Sequence, residues 1–154
     1  MNVYLSDEQG HPADAASLLA FAEKVLQAER FPGDSELAVY LVSPKEMAVY
    51  NERFMGRKGP TDVLAFPLEV LVPGEPPRSL PGEPPINLGD VFLCPEEVER
   101  RARREQIPYD DFVHLLLAHG ILHLLGYEHD DESGAETMER REDELLDLIG
   151  RTWQ

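Results

Sequence analysis

The sequence has 154 residues, of which 42% are hydrophobic and 29% charged, so one globular domain spanning residues 1–154 can bury its own core. A single cysteine excludes an internal disulfide, and it leaves histidines and carboxylates as the side chains that could bind a metal ion. The net charge of −16 argues against broad, nonspecific binding of nucleic acid, which depends on lysine and arginine.

The first third of the chain alternates between strand and helix signals. Two short apolar runs, residues 2–6 and 36–42, predict strands. Between them, apolar residues recur at helical spacing over residues 12–30 and predict an amphipathic helix. A capping box that begins at Ser43 predicts a further helix over residues 44–54.

The rest of the chain adds two strands and three helices. The strands are predicted at residues 62–69 and 88–94. Between them, six prolines mark residues 72–87 as a loop, for which a tolerated surface insertion is the favoured interpretation. The expected helices are 95–107, 109–126 and 133–150. Strands interleaved with helices in so short a chain predict one small sheet covered by helices.

No segment is typical of a membrane protein or a secreted one. The most apolar stretch, residues 115–125, is interrupted by His119 and His123 and is shorter than the roughly 20 residues that a membrane helix needs. The N-terminus lacks the basic and apolar regions of a secretory signal. We therefore expect a cytoplasmic protein that does not bind membranes.

Three histidines near the end of the 109–126 helix form the most informative motif. His119 and His123 are four residues apart, so they share one helix face and can reach one ion. Gly126 permits a left-handed turn, after which the chain can double back and bring His129 to the same ion. Three histidine ligands leave a fourth position for water, which is typical of a catalytic zinc site, although imidazoles also suit nickel or copper.

Other residues fit this chemistry less well. His114 points off the face of His119, so we expect it to pack in the interior or support the site. Gly120 stands where metzincin proteases carry the glutamate that acts as general base, which argues against a peptidase of that type. Two basic clusters, within residues 53–58 and 100–104, are interpreted as solvated surfaces.

The segment from His119 to His129, H-G-I-L-H-L-L-G-Y-E-H, resembles the H-G-x-L-H-L-x-G-Y-D-H motif of the YbeY family of bacterial endoribonucleases. It departs from that motif at Glu128, where the negative charge is kept. Residues 60–67 (P-T-D-V-L-A-F-P) are similar to the family's P-T-D-V-L-S-F-P stretch, and residues 88–91 (L-G-D-V) to its L-G-D-I segment. The resemblance covers most of the chain.

This resemblance implies an α+β fold with a small mixed sheet of about four strands, about five helices and a metal site at the end of a buried helix. It implies one Zn²⁺ held by His119, His123 and His129, in a single-strand-specific endoribonuclease of ribosomal RNA maturation. The implied roles are processing of the 3′ end of 16S rRNA and ribosome quality control. Implied partners are ribosomal RNA, the small ribosomal subunit, one of its proteins and a ribosome-associated GTPase.

The residues that assist the three catalytic histidines are less well defined. Many family members carry an arginine where this chain has Met55, so we assign the catalytic cation to Arg57, with Lys58 as an alternative. The acids that could orient the histidines are Glu128, Asp130 and Asp131. Thr61 and Asp62 could line the cleft, although Asp62 is equally interpretable as a strand-end cap.

Two other functions stay open at this point. One is a non-catalytic ribosome assembly factor whose zinc is structural. The other is a metal-dependent hydrolase of a different substrate, peptides included. For the nuclease, the net charge of −16 indicates that RNA is presented on the ribosome, with weak and strongly salt-dependent activity on free RNA.

Overall fold

The computed structural model describes residues 2–77 and 80–151 of the chain. Its strands are β1 (Asn2–Asp7), β2 (Glu36–Leu41), β3 (Val63–Pro67) and β4 (Asn87–Leu93). Its helices are α1 (Ala15–Ala28), α2 (Pro44–Met55), α3 (Pro95–Glu105), α4 (Tyr109–Leu124) and α5 (Glu132–Asp147). Every predicted element is present, and the boundaries differ from the predictions by at most three residues.

The four strands form one mixed sheet in the order β1-β2-β4-β3. The neighbours β1–β2 and β2–β4 are parallel, because the helical segments between them carry the chain back across the sheet. Strand β3 runs antiparallel to β4 and lies at the sheet edge. The α+β fold with a small mixed sheet is therefore confirmed.

Helix α4 is the centre of the core. Ten of its residues are buried, and it contacts α1, α3, α5 and the strands β3 and β4. Gly120 allows this close packing, since a Cβ at that position would lie 2.8 Å from Val91 Cγ1 and 3.2 Å from Val63 Cγ2. Within the described ranges, no helix is both long and apolar enough to cross a membrane.

The opposite face of the sheet is covered in part by α2. The predicted N-cap of this helix is present, with the Glu46 N–H donating to Ser43 Oγ at 3.2 Å. Aromatic rings fill the space beneath it, with Tyr50 and Phe92 centroids 4.6 Å apart. Helix α2 thereby sets the position of the segment that follows it, residues 56–62.

Most described residues of the proline-rich loop at 72–87 are exposed, and the segment that leads into the loop packs on the rest of the protein. Just before the loop, the Leu71 carbonyl lies against Gly126. The Gly74 carbonyl accepts a hydrogen bond from Arg30 at 3.3 Å. The segment that enters the loop is thus part of the structure around the turn that follows α4.

Candidate metal centre and cleft

His119 and His123 project from the last turns of α4 towards each other. Their Nε2 atoms are 3.1 Å apart, and both side chains are half-buried. Two nitrogens that share one tetrahedral ion at about 2.0–2.1 Å lie about 3.3 Å apart. The helix alone therefore places two imidazoles at a spacing suited to a metal ion.

The remaining ring nitrogens are held by hydrogen bonds that set the tautomer. His119 Nδ1 lies 2.6 Å from Glu142 Oε2, and His123 Nδ1 lies 3.0 Å from the Tyr127 carbonyl oxygen. A carbonyl or carboxylate oxygen accepts, so both Nδ1 atoms donate and both Nε2 atoms carry lone pairs. Two lone pairs that face each other cannot hydrogen bond, and a shared cation would remove their repulsion. The donor set thus fits a metal ion.

The ring of His123 is well suited to bind a cation. Burial, followed by the nearby imidazoles of His119 and His129, lowers the pKa of His123 to about 4. The ring is therefore neutral at pH 7, and metal binding does not have to displace a proton from it.

The turn after α4 brings the third histidine back. It is a Schellman motif, in which the Tyr127 N–H donates to the Leu122 carbonyl at 3.0 Å and the Gly126 N–H to the His123 carbonyl at 3.2 Å. Gly126 has φ of +99°, and any Cβ there would overlap the Leu71 carbonyl. Only glycine satisfies both constraints.

After this turn the His129 ring faces the other two. Its centroid lies 5.4 Å from that of His119 and 4.9 Å from that of His123. One ligand atom from each ring falls within 4.8 Å of the others. The structure therefore brings together the three side chains that the spacing predicted, in a group that could hold one metal ion.

A buried ion pair anchors the turn. The Tyr127 hydroxyl donates to the Glu29 carboxylate at 3.2 Å, and Arg141 Nε contacts the same carboxylate at 2.6 Å. Glu29 caps the end of α1 and is 5% exposed, so the pair joins the end of α1 and the middle of α5 to the turn. Burial and the Glu29 carboxylate raise the pKa of Tyr127 to about 12. The carbonyl that orients His123 therefore belongs to a fixed residue.

The histidine cluster lies in an open cleft of about 410 Å³. Its walls come from the end of α2, the strand β3 and the turn after α4. The lining residues are Asn51, Met55, Arg57, Thr61, Val63, Leu64, Ala65, Pro67, His119, Gly120, His123, Tyr127, Glu128 and His129. The cleft combines apolar walls with the three imidazoles and the cation of Arg57.

A family model described as endoribonuclease YbeY matches residues 4–150. The chain belongs to the YbeY family. Endoribonuclease YbeY from Thermobifida fusca is 42% identical over 146 residues, which cover 95% of this chain and 92% of the relative. The protein of the same name from Acidothermus cellulolyticus is also 42% identical, over 95% of this chain and 90% of the relative. A solution structure from Thermotoga maritima has a TM-score of 0.60 and 27% identity, covering 96% of this chain and 91% of that one.

In this YbeY family member, the residue that supports His119 is one that the sequence analysis missed. Glu142 contacts its Nδ1, whereas Asp131 instead caps α5 by accepting from the Gly134 N–H at 2.6 Å. Glu128 lines the cleft, and both Glu128 and Asp130 are exposed. The sequence contains a signal for Glu142, because it lies within the apolar stripe of α5.

Of the two residues predicted to line the cleft, Thr61 and Asp62, only the first does so. Asp62 caps the start of β3, with Oδ1 accepting from the Val63 N–H at 2.7 Å and Oδ2 contacting Arg101 at 2.6 Å. Its interpretation as a strand-end cap is therefore the correct one.

The two basic clusters also differ. On α3, Arg100, Arg101 and Arg103 form ion pairs with acids, mostly of their own helix. Beside the cleft, none of the three basic side chains within residues 53–58 has an acid within ion-pair distance among the described residues. Arg57 lines the cleft, and the side chain of Asn51 donates to the Gly59 carbonyl at 2.9 Å, which holds the segment that carries it.

His114 is fully buried, and it has the packing role expected of it. Its Nδ1 lies 2.7 Å from the Asp110 carbonyl and its Nε2 lies 2.8 Å from Ser17 Oγ. Burial lowers its pKa. It joins α4 to α1 on the side away from the cleft.

Proposed function

We propose that this chain is a zinc-dependent endoribonuclease that cleaves single-stranded RNA during ribosomal RNA maturation, including the 3′ end of 16S rRNA, and in ribosome quality control. The observation that carries the proposal is the convergence of His119, His123 and His129 in an open cleft of a YbeY family member. Residues 1–154 act as one domain in this proposal, because α4, which carries His119 and His123, packs on α1, α3, α5 and the strands β3 and β4.

The three imidazoles hold one Zn²⁺ in this proposal. When bound there, the ion supplies a Lewis acid for a phosphate oxygen and lowers the pKa of water. The hydrogen bonds from His119 to Glu142 and from His123 to the Tyr127 carbonyl keep each ring in the tautomer and orientation that binding needs. His129, which is exposed, completes the set from the turn.

Arg57 is the proposed catalytic cation. It lines the cleft, and no acid among the described residues neutralises it within ion-pair distance. A guanidinium at this position can offset negative charge that develops on a phosphate during cleavage. Met55, at the position where many family members have arginine, lines the same wall, so a cation at residue 57 reaches the same cleft from two residues further along.

The position of Gly120 supports a nuclease over a metzincin-like peptidase. A side chain there would point at Val91 and Val63 in the sheet, so this position offers no room for a glutamate that serves as general base. The helix therefore lacks, at the residue after His119, the glutamate on which that type of peptide hydrolysis depends.

The charge of the chain bears on how RNA reaches the cleft. At −16 the protein repels RNA at long range, and the unpaired cations beside the cleft act only locally. We therefore propose that the substrate is presented by the small ribosomal subunit in the cytoplasm, with a small-subunit protein and a ribosome-associated GTPase as partners.

The test combines metal analysis with cleavage of RNA. Purified wild type should contain about one equivalent of zinc and cut a single-stranded fragment of the 16S 3′ end, whereas His119→Ala and His123→Ala should lose both properties and still fold. His11→Ala removes a histidine remote from the cleft and is the matched control. A metal-free wild type, or a zinc protein that cuts no RNA in free or ribosome-bound form, would overturn the proposal.

The same variants separate the alternatives. Global unfolding of His123→Ala, together with wild type that cuts no RNA, would indicate an assembly factor with a structural ion. Hydrolysis of casein by wild type, abolished in His119→Ala, would indicate a peptidase instead.

A further inference from the structure

Strand β3 lies at the edge of the sheet and forms one wall of the cleft. In an antiparallel pair, the backbone N–H and carbonyl groups of every second residue bond to the neighbouring strand, and those of the residues between them point away from it. The Cys94 N–H donates to the Asp62 carbonyl at 2.9 Å, and the Leu68 N–H donates to the Leu88 carbonyl at 3.1 Å. The backbone N–H and carbonyl groups of the even-numbered residues of β3 therefore point at β4.

The backbone groups of Val63, Ala65 and Pro67 consequently point away from the sheet, and all three residues line the cleft. The Val63 N–H is already bonded to the Asp62 side chain at 2.7 Å, and Pro67 has no N–H. Within β3, Ala65 is thus the residue that offers both an N–H and a carbonyl to the cleft. None of the other described residues hydrogen bonds to its N–H.

We propose that Ala65 reads one unpaired nucleobase of the RNA, with its N–H and carbonyl bonded to the edge that the base would use for pairing. This inference rests on the proposed endoribonuclease function and adds the basis of its selectivity for single strands. Each of the four RNA bases carries at least one donor and one acceptor on its pairing edge. Any base can therefore form hydrogen bonds with one backbone donor and one backbone acceptor, provided that the base is unpaired.

The walls around Ala65 suit the faces of a base. Met55 and the side chains of Val63 and Pro67 are apolar, and the thioether of methionine packs well against aromatic rings. The cleft volume of about 410 Å³ falls within the range of about 300–1,000 Å³ that is usual for small-molecule sites. The histidine cluster borders the same cleft, so a base held at β3 keeps its own backbone near the metal centre.

An extended peptide fits this edge poorly. Adding a strand to a sheet requires successive N–H and carbonyl groups at every second residue of the edge. Here the capped Val63 and the proline at residue 67 remove the N–H groups on both sides of Ala65. A single base needs only the one donor and one acceptor that remain.

The first test changes the substrate and leaves the protein intact. Oligouridylates that contain 3-methyluridine carry a methyl group on the pairing edge, whereas 5-methyluridine carries the same methyl elsewhere on the ring and is the matched control. We expect kcat/KM of wild type to fall about tenfold or more for the first oligonucleotide relative to the second. Equal cleavage of the two would overturn the inference while leaving the nuclease function standing.

The second test removes the donor. Ala65→Pro deletes the N–H on the open side of an edge strand, where proline is tolerated, and Ala65→Ser retains it. The preference for 5-methyluridine should shrink in the proline variant, which keeps only the carbonyl contact to the base, and persist in full in the serine variant. Unchanged preference in a folded Ala65→Pro protein would contradict the proposal; if this variant does not fold, the comparison of oligonucleotides on wild type decides.

Binding separates this inference from the function on which it rests. Fluorescence anisotropy of labelled oligonucleotides on metal-free protein measures base recognition without cleavage. A preference for 5-methyluridine in binding supports base reading at Ala65 even if no RNA is cut, in which case only the nuclease function fails. An extended peptide that binds to wild type but not to Ala65→Pro, with RNA binding unchanged, would assign the edge to a peptide and overturn the inference.

Discussion

Glu142 gives the sharpest test of how the site is supported. Its carboxylate lies 2.6 Å from His119 Nδ1, and its side chain is 8% exposed, so water has little access to replace it. Glu142→Ala removes the acceptor that fixes the tautomer and orientation of a proposed ligand. The imidazole can then rotate, or carry its proton on Nε2, and either change lowers the population that can bind a metal.

The expected magnitude follows from this contact. Loss of the acceptor behind a histidine ligand lowers metal affinity by about 10–100-fold. This corresponds to about 1.4–2.7 kcal/mol of binding free energy. Glu142→Gln should fall between alanine and wild type, because the amide oxygen still accepts a hydrogen bond but carries no charge.

The assay is competition for Zn²⁺ against a chromophoric chelator, with thermal unfolding of metal-free and metal-loaded protein alongside. Glu139→Ala is the matched control, since it removes an exposed acid from the same helix, one turn earlier. We expect the control to keep wild-type affinity. Wild-type zinc affinity in a folded Glu142→Ala protein would refute the view that this carboxylate orients His119.

Three further predictions concern other parts of the molecule. Gly126→Ala should lower both the melting temperature and zinc affinity, measured by calorimetry and by chelator competition, because a Cβ there overlaps backbone at positive φ. Met55→Arg should restore RNA cleavage to an Arg57→Ala protein in a kcat/KM assay, and no rescue would contradict a shared role in the cleft. The Cys94 thiol is buried, which raises its pKa to about 11, so a disulfide reagent at pH 8 should label it only after denaturation; rapid labelling of native protein would be inconsistent with this burial.

Local patterns in the chain predicted the elements and the ligand motif. Hydrophobic periodicity and caps such as Ser43 involve neighbours within a few residues, so the strands and helices could be placed within three residues of their observed ends. The pair His119 and His123 is equally local, because a helix places residues four apart on one face. Gly126 marked the reversal because it allows a backbone conformation that other residues avoid.

Only the tertiary structure decided what supports that motif. Glu142 meets His119 across 23 positions, and Glu29 meets Tyr127 across 98. The open edge of β3 faces the cleft because β3 pairs with β4 alone, and the register of that pairing turns Ala65 outwards. Hydrophobic periodicity shows which face of a helix or strand is buried. It does not show which other helix or strand packs against that face, because this depends on how all the elements pack together.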